Sequence, residues 1–151
     1  MKLGSTACTN AALVLALTGL AAAAPASPPA IVPPGWTSEP VQSGHMIIRY
    51  VSPDRRAVLT LRDMPGGQPV SALLHRGGES VTYRQRGRSW TVVSGYRGDQ
   101  IYYRRANLAC GGQRWHLIEL NYPAAEKRAM DATVTYISHR LGRYRDVCPR
   151  G

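Results

Sequence analysis

Apolar and β-branched residues alternate in short runs along most of the chain, and turn-forming residues separate the runs. His45-Met-Ile-Ile-Arg-Tyr-Val51 is rich in β-formers and predicts a strand. Ser52-Pro53-Asp54-Arg55 predicts a turn, with proline at its second position. Ala57-Val-Leu-Thr-Leu-Arg62 predicts the return strand, which Pro65-Gly66-Gly67 breaks. Pro69 to Arg76 predicts a short helix, stopped by Gly77-Gly78. Four more strands follow in quick succession: Ser80–Gln85, Ser89–Tyr96, Gln100–Ala109 and Gln113–Tyr122. Their connections are Arg86-Gly87-Arg88, Arg97-Gly98-Asp99 and Gly111-Gly112. Short links containing glycine between β-rich runs predict hairpins, hence an antiparallel meander.

After Pro123 the period changes. Met130, Val134, Ile137 and Leu141 fall at i, i+4, i+7 and i+11, one stripe of an α-helix. Lys127 and Asp131 add an i, i+4 pair on its flank, and Gly142 can stop it. The β-branched Thr133, Val134, Thr135 and Ile137 oppose helix propensity, so the helix rests on its stripe. The order ββ-α-ββββ-α predicts an α+β domain: an antiparallel sheet of about six strands with the C-terminal helix packed on one face.

The N-terminal part reads differently. Met1-Lys2 is a short basic start, and an apolar run covers Ala11 to Ala24, interrupted only by Thr18 and Gly19. The run suits a signal-peptide core and is short for a membrane span of about 20 residues. Ala24-Pro25-Ala26 offers small residues at the two positions a signal peptidase reads, so residues 1–26 are expected to be removed after Ala26. Cys8 lies before the apolar run, the wrong side for a lipoprotein anchor. Ser27 to Pro34, SPPAIVPP, predicts an extended solvated lead. The expected organisation is a signal peptide over 1–26, a proline-rich linker over 27–40 and a single domain over 41–151. No transmembrane segment is expected after cleavage, and the expected location is the periplasm or the exterior.

Export changes the cysteine arithmetic. Without Cys8 the chain keeps Cys110 and Cys148, one pair in an oxidising compartment, so a disulfide is expected. Two cysteines this far apart lack the paired spacing of a structural zinc site, and His45, His75, His116 and His139 show no metal-ligand spacing. Neither a metal nor a cofactor is expected. Gly-x-Ser-x-Gly and a glycine-rich phosphate loop are both absent. Arg97-Gly98-Asp99 spells an adhesion tripeptide, but a hairpin turn accounts for it. No residue is assigned a catalytic role.

Composition then sharpens the picture. The chain has 151 residues, with 19 Lys+Arg against 9 Asp+Glu and a net charge of +10. Losing Lys2 with the leader makes it +9. Hydrophobic residues make up 44% of the chain, too many for a wholly disordered one. Arginine repeatedly stands beside tyrosine: Tyr83-Arg84, Tyr96-Arg97, Tyr103-Arg104 and Arg143-Tyr144-Arg145. Guanidinium groups grip phosphate and carboxylate and also stack on rings. If the meander aligns these strands, Arg84, Arg86, Arg88, Arg97, Arg104 and Arg105 form one basic, aromatic face for an anionic partner. Charged residues on the outward side of any sheet give the same pattern without a ligand. Lys127 is the only lysine after the leader, and abundant Ala, Gly, Pro and Arg fit a GC-rich genome. The sign of the charge therefore says more than the choice of arginine.

Residues Ser89 to Arg105, SWTVVSGYRGDQIYYRR, and Arg114 to Leu141, RWHLIELNYPAAEKRAMDATVTYISHRL, resemble a group of small secreted bacterial proteins. The element order is similar to the PsbP-like fold. The resemblance implies an antiparallel sheet with helices, and a binding or assembly role more than catalysis; no PsbP functional residue maps onto this sequence.

Three functions remain open. The first is an exported, monomeric, non-catalytic binding module of the bacterial envelope, whose partner is an anionic envelope component or an acidic protein. No specific nucleic acid is expected. The second is a small hydrolase of phosphodiester type with a histidine general base. It requires two histidines, or a histidine and a carboxylate, lining one pocket. The third is a structural assembly protein, which requires an exposed apolar patch of a few hundred Å².

Overall fold

A computed structural model describes residues 29–39, 47–143 and Cys148. The expected leader, its cleavage point, His45 and Tyr144 lie outside the described residues. Seven strands form one antiparallel sheet: β1 (Thr37–Glu39), β2 (Ile47–Val51), β3 (Val58–Pro65), β4 (Ser80–Arg86), β5 (Trp90–Arg97), β6 (Gln100–Ala109) and β7 (Arg114–Pro123). Helix α1 (Val70–Leu74) joins β3 to β4, and α2 (Lys127–Arg143) follows β7. Each strand of the expected meander is present within a residue or so at either end. The short helix and the long helix are present as well.

The spatial order is β1-β2-β3-β7-β6-β5-β4. The last strand returns beside β3, so β6 and β7 occupy the middle and β4 one edge. Period-two alternation then sorts side chains to the two faces. One face carries Leu59, Val92, Ile101, Tyr103, Ile118, Leu120 and Tyr122, and Ile137 and Leu141 of α2 pack on it. The other carries Val93, Tyr102, Ala106 and Leu117, capped by Leu74 of α1.

The proline-rich stretch is not a solvated lead. Ile31 and Val32 are buried in the α2-side core, and Thr37–Glu39 pairs with Arg49–Val51 as the seventh strand. The segment turns twice, closed by the Val32 amide donating to the Pro29 carbonyl at 2.9 Å and the Trp36 amide to the Pro33 carbonyl at 3.3 Å, and prolines suit such turns. Tyr136 of α2 fastens it by donating to the carbonyl of Ala30 at 3.1 Å.

Two glycines are required by close approach. A Cβ at Gly66 would stand 2.0 Å from the carbonyl oxygen of Gly112, and one at Gly95 would stand 1.9 Å from that of Ser80. Gly95 lies opposite the irregularity of β4 between Val81 and Tyr83, where the edge strand folds in against β5. Cys110 and Cys148 form a disulfide with a Cα–Cα distance of 5.6 Å, tying the chain beyond α2 to the end of β6. Among the described residues no helix is long and apolar enough to cross a membrane.

Candidate functional site

The six arginines expected to form one face do not converge. Alternation places Arg84, Arg86, Arg97 and Arg104 on the α1 side of the sheet, opposite or beside Val93, Thr91, Gln100 and Glu119. Arg88 lies in the tight turn between β4 and β5, whose ends are joined by the Gly87 amide donating to the Trp90 carbonyl at 2.9 Å. Arg105 points to the opposite face. Its guanidinium donates to Ser138 Oγ of α2 at 2.6 Å and lies 5.2 Å from the centre of the Trp90 ring.

Arg104 is fully buried. Burying a guanidinium is costly unless its charge is paired and its N–H groups are satisfied. Here Nη1 and Nη2 donate to the two carboxylate oxygens of Glu79 at 2.7 and 2.6 Å, Nη1 also donates to the Leu74 carbonyl at 3.0 Å, and Nη2 reaches Glu119 at 3.3 Å. Glu119 is itself gripped by Arg76 at 3.0 and 2.6 Å and by the Asn121 amide at 3.1 Å. Leu74, Arg76 and Glu79 all belong to the α1–β4 segment, so the network clamps that segment onto β6 and β7. The Arg104 hydrogen bond holds the Glu79 carboxyl below the ordinary glutamate value. Burial alone would raise Glu119, but the Asn121 hydrogen bond and the Arg104 charge outweigh it and leave that carboxyl lowered too. Arg104 is therefore a structural ion, and Arg97 stands at its margin, 3.9 Å from Glu79.

The β4 end is different. All seven residues of β4 are exposed. Among the described residues no carboxylate lies within ion-pair distance of Arg84, Arg86 or Arg88. Four other exposed arginines are compensated: Arg49 and Arg55 by Glu39, Arg56 by Glu126, Arg76 by Glu119. Three unpaired, exposed arginines thus stand together on β4 and its turn; α2 carries a second exposed group in Lys127, Arg128 and Arg143.

On the α2 side, a groove runs between that helix and β4. It has two lobes of about 250 and 230 Å³ that share Tyr83, Tyr103 and Val134. Trp90 and Arg105 line the first lobe, and Tyr96 and Lys127 the second. The aromatic residues thus gather in a groove, but it opens on the other side of β4 from Arg84 and Arg86. Side-chain parity explains the separation. Tyr83 and Arg84 are neighbours in sequence and so point to opposite faces.

One further pair was not legible in the sequence. His116 Nδ1 lies 2.7 Å from Asp63 Oδ1, and the two residues stand opposite each other across β3 and β7. Both line a cavity of about 90 Å³ whose other walls include Ile31, Ile48, Leu61 and Leu141. Only the β3–β7 pairing brings them together, and no local pattern announces that pairing. His75 and His139 are exposed and on separate elements. Among the described residues no three of His, Cys, Asp or Glu form a metal-binding cluster.

Exposed large apolar side chains among the described residues are Ile48, Val81 and Tyr83. Ile48 is on β2 and the other two are on β4, with four strands between. They form no single patch of the kind an assembly surface needs. In comparison with known proteins, no family model matches the chain and no curated protein matches it.

Proposed function

We propose that this chain is an exported, non-catalytic binding module of the bacterial envelope that recognises an anionic partner at the β4 end of its sheet. Arg84, Arg86 and Arg88 are the contact residues, with Arg97 beside them. One observation carries the reading: Arg84, Arg86 and Arg88 stand together on the edge strand and its turn, exposed and with no carboxylate in ion-pair distance among the described residues, whereas the exposed arginines of β2 and the β2–β3 turn each have one. Unpaired guanidinium groups on a rigid strand keep their full capacity for carboxylate or phosphate. Export is supported by the leader-like N-terminus and by the Cys110–Cys148 pair, which persists in an oxidising compartment. The resemblance to small secreted proteins and to the PsbP-like order agrees with a binding role.

The test is binding of the purified protein to phosphatidylglycerol vesicles and to polyglutamate over a salt series. Association with at least one, weakening steeply as salt rises, is expected. No association with either, or association indifferent to salt, would remove the reading.

A second reading has one observation in its favour. The Asp63–His116 pair at 2.7 Å lines a cavity, as a hydrolase with a histidine general base requires. No hydroxyl or thiol side chain is among the cavity's lining residues, so water would have to be the nucleophile. Hydrolysis of bis(p-nitrophenyl) phosphate that disappears in His116→Ala would establish this reading in place of the first.

A further inference from the structure

The anion-binding reading concerns the side chains of β4, but its backbone is also available. β4 closes one end of the sheet, and among the described residues nothing pairs with its outer edge. The opposite edge, β1, has three residues; β4 has seven. The Gly87 amide bonds to the Trp90 carbonyl, and in an antiparallel ladder bonded pairs alternate with unbonded ones. Gln85 and Tyr83 therefore bond inward to Val92 and Ser94, and the N–H and C=O groups of Arg84 and Arg86 point outward from the edge. The backbone groups that would accept another strand belong to the same two residues whose side chains carry unpaired charge.

We infer that β4 is a docking edge for an extended acidic peptide, which adds to the sheet as an eighth strand. The inference rests on the anion-binding reading and specifies its partner. Strand addition dictates a pattern. Alternate side chains of the incoming peptide lie on the α1 side beside Arg84 and Arg86, and the others lie on the α2 side beside Tyr83 and Gln85. The fitting sequence alternates Asp or Glu with an apolar residue. Cross-strand carboxylate–guanidinium pairs reward the first set, and contact with the Tyr83 ring rewards the second.

The same arginines argue against a second copy of this chain as the occupant. Full-length antiparallel pairing of two β4 strands centres on Tyr83. Arg84 of one copy then lies diagonally beside Arg84 of the other, and both Arg86 side chains share that face. Like charges at this spacing repel. A charged edge that discourages self-pairing is a common protection of exposed strands, and here it also selects a partner of opposite sign.

The experiment uses the disulfide-intact full chain and a short labelled peptide of alternating Glu and Val. Three results are expected. The peptide binds, and N-methylation at alternate residues weakens binding by about tenfold or more, because a methylated amide cannot join the ladder. Amide hydrogen exchange at Arg84 and Arg86 slows by about tenfold at saturation, with Gln85 little changed. The double variant Arg84→Glu with Arg86→Glu prefers an alternating Lys–Val peptide instead. The inference is overturned if the N-methylated peptide binds equally well, or if the edge amides exchange at an unchanged rate. It is also overturned if those amides are already protected without peptide, since the edge would then be occupied by a second copy or by another segment of the chain. Vesicle binding without peptide binding sinks this inference and leaves the anion-binding reading standing; failure of both sinks both.

Discussion

Arg104 and Glu79 form a two-pronged ion pair, 2.7 and 2.6 Å, in which neither side chain is more than marginally accessible to water. It connects the centre of β6 to the residue just before β4, so it sets where the edge strand begins. A buried pair of this kind adds little over a well-packed apolar contact, but breaking it by removing one partner is severe. Arg104→Met leaves Glu79 and Glu119 without their shared cation, and it should lower stability by about 3–5 kcal/mol. Urea denaturation gives the value from the midpoint. A loss below about 1 kcal/mol would show that the network is not intact in solution.

The same network makes stability depend on acid. Glu79 and Glu119 both titrate below the ordinary value of 4.5 in the folded protein. A lowered folded value means the unfolded chain binds protons first as pH falls. The contribution is therefore fully present well above pH 4.5 and is lost as pH drops through that value toward the lower folded one. Denaturation midpoints collected from pH 7 to 3 should be flat at first and then decline, about where an unpaired carboxyl titrates. The decline should be shallower in Glu79→Gln, which starts from a lower plateau. An acid limb of equal depth in that variant would contradict the assignment.

Cys110 and Cys148 close a loop of sequence separation 38. On the chain-entropy account such a link stabilises by about 4 kcal/mol. Cys110→Ser with Cys148→Ser, or dithiothreitol on the native protein, should lower the urea midpoint accordingly. The α2 contacts with the sheet remain, so the far-ultraviolet spectrum should be retained. An unchanged midpoint would mean that the bond does not form.

Gly95 is the point where the edge strand touches its neighbour most closely. Alanine there would press into the Ser80 carbonyl and the Tyr102 hydroxyl, at 1.9 and 2.8 Å. The backbone on one side cannot yield without moving β4. Gly95→Ala should destabilise by about 1–3 kcal/mol and speed amide exchange along β4 more than along β7. Gly98, at the Arg97–Asp99 hairpin, has open space around it and φ of +61°. Substitution there should show only the strain of its backbone.

Local patterns made most of this fold legible. Gly87 and Gly98 marked the hairpins because tight turns need such residues, and Ile137 and Leu141 marked the buried stripe of α2 because helical spacing exposes it. Non-local pairing was not legible. Nothing in Asp63 or His116 says that β3 will lie beside β7. The burial of Ile31 and Val32 was not legible because prolines mark extended leads and turns alike, and here they stand in turns packed on the core. The site was half legible. Arg84, Arg86, Arg88 and Arg97 reached the surface as their strand positions implied. Arg104 did not, and a signal existed: Glu119 sits inside HLIELNY, an apolar central strand where a carboxylate requires a cation. Arg105 follows from parity, since it points away from Arg104 and meets Ser138 under α2.

The central claim, that surplus positive charge at β4 and not total charge binds the partner, can be tested by comparing two variants of equal net charge. One replaces Arg84, Arg86 and Arg88 by Gln; the other replaces Arg49, Arg55 and Arg56, which are paired with carboxylates, by Gln. Binding is measured to the same anionic probe, polyglutamate or phosphatidylglycerol vesicles, over one salt series that starts at low ionic strength. The first variant should bind about tenfold more weakly than the native protein and show a flatter salt dependence, with the second close to native. Equal losses in the two variants would contradict the account, because binding would then follow net charge alone.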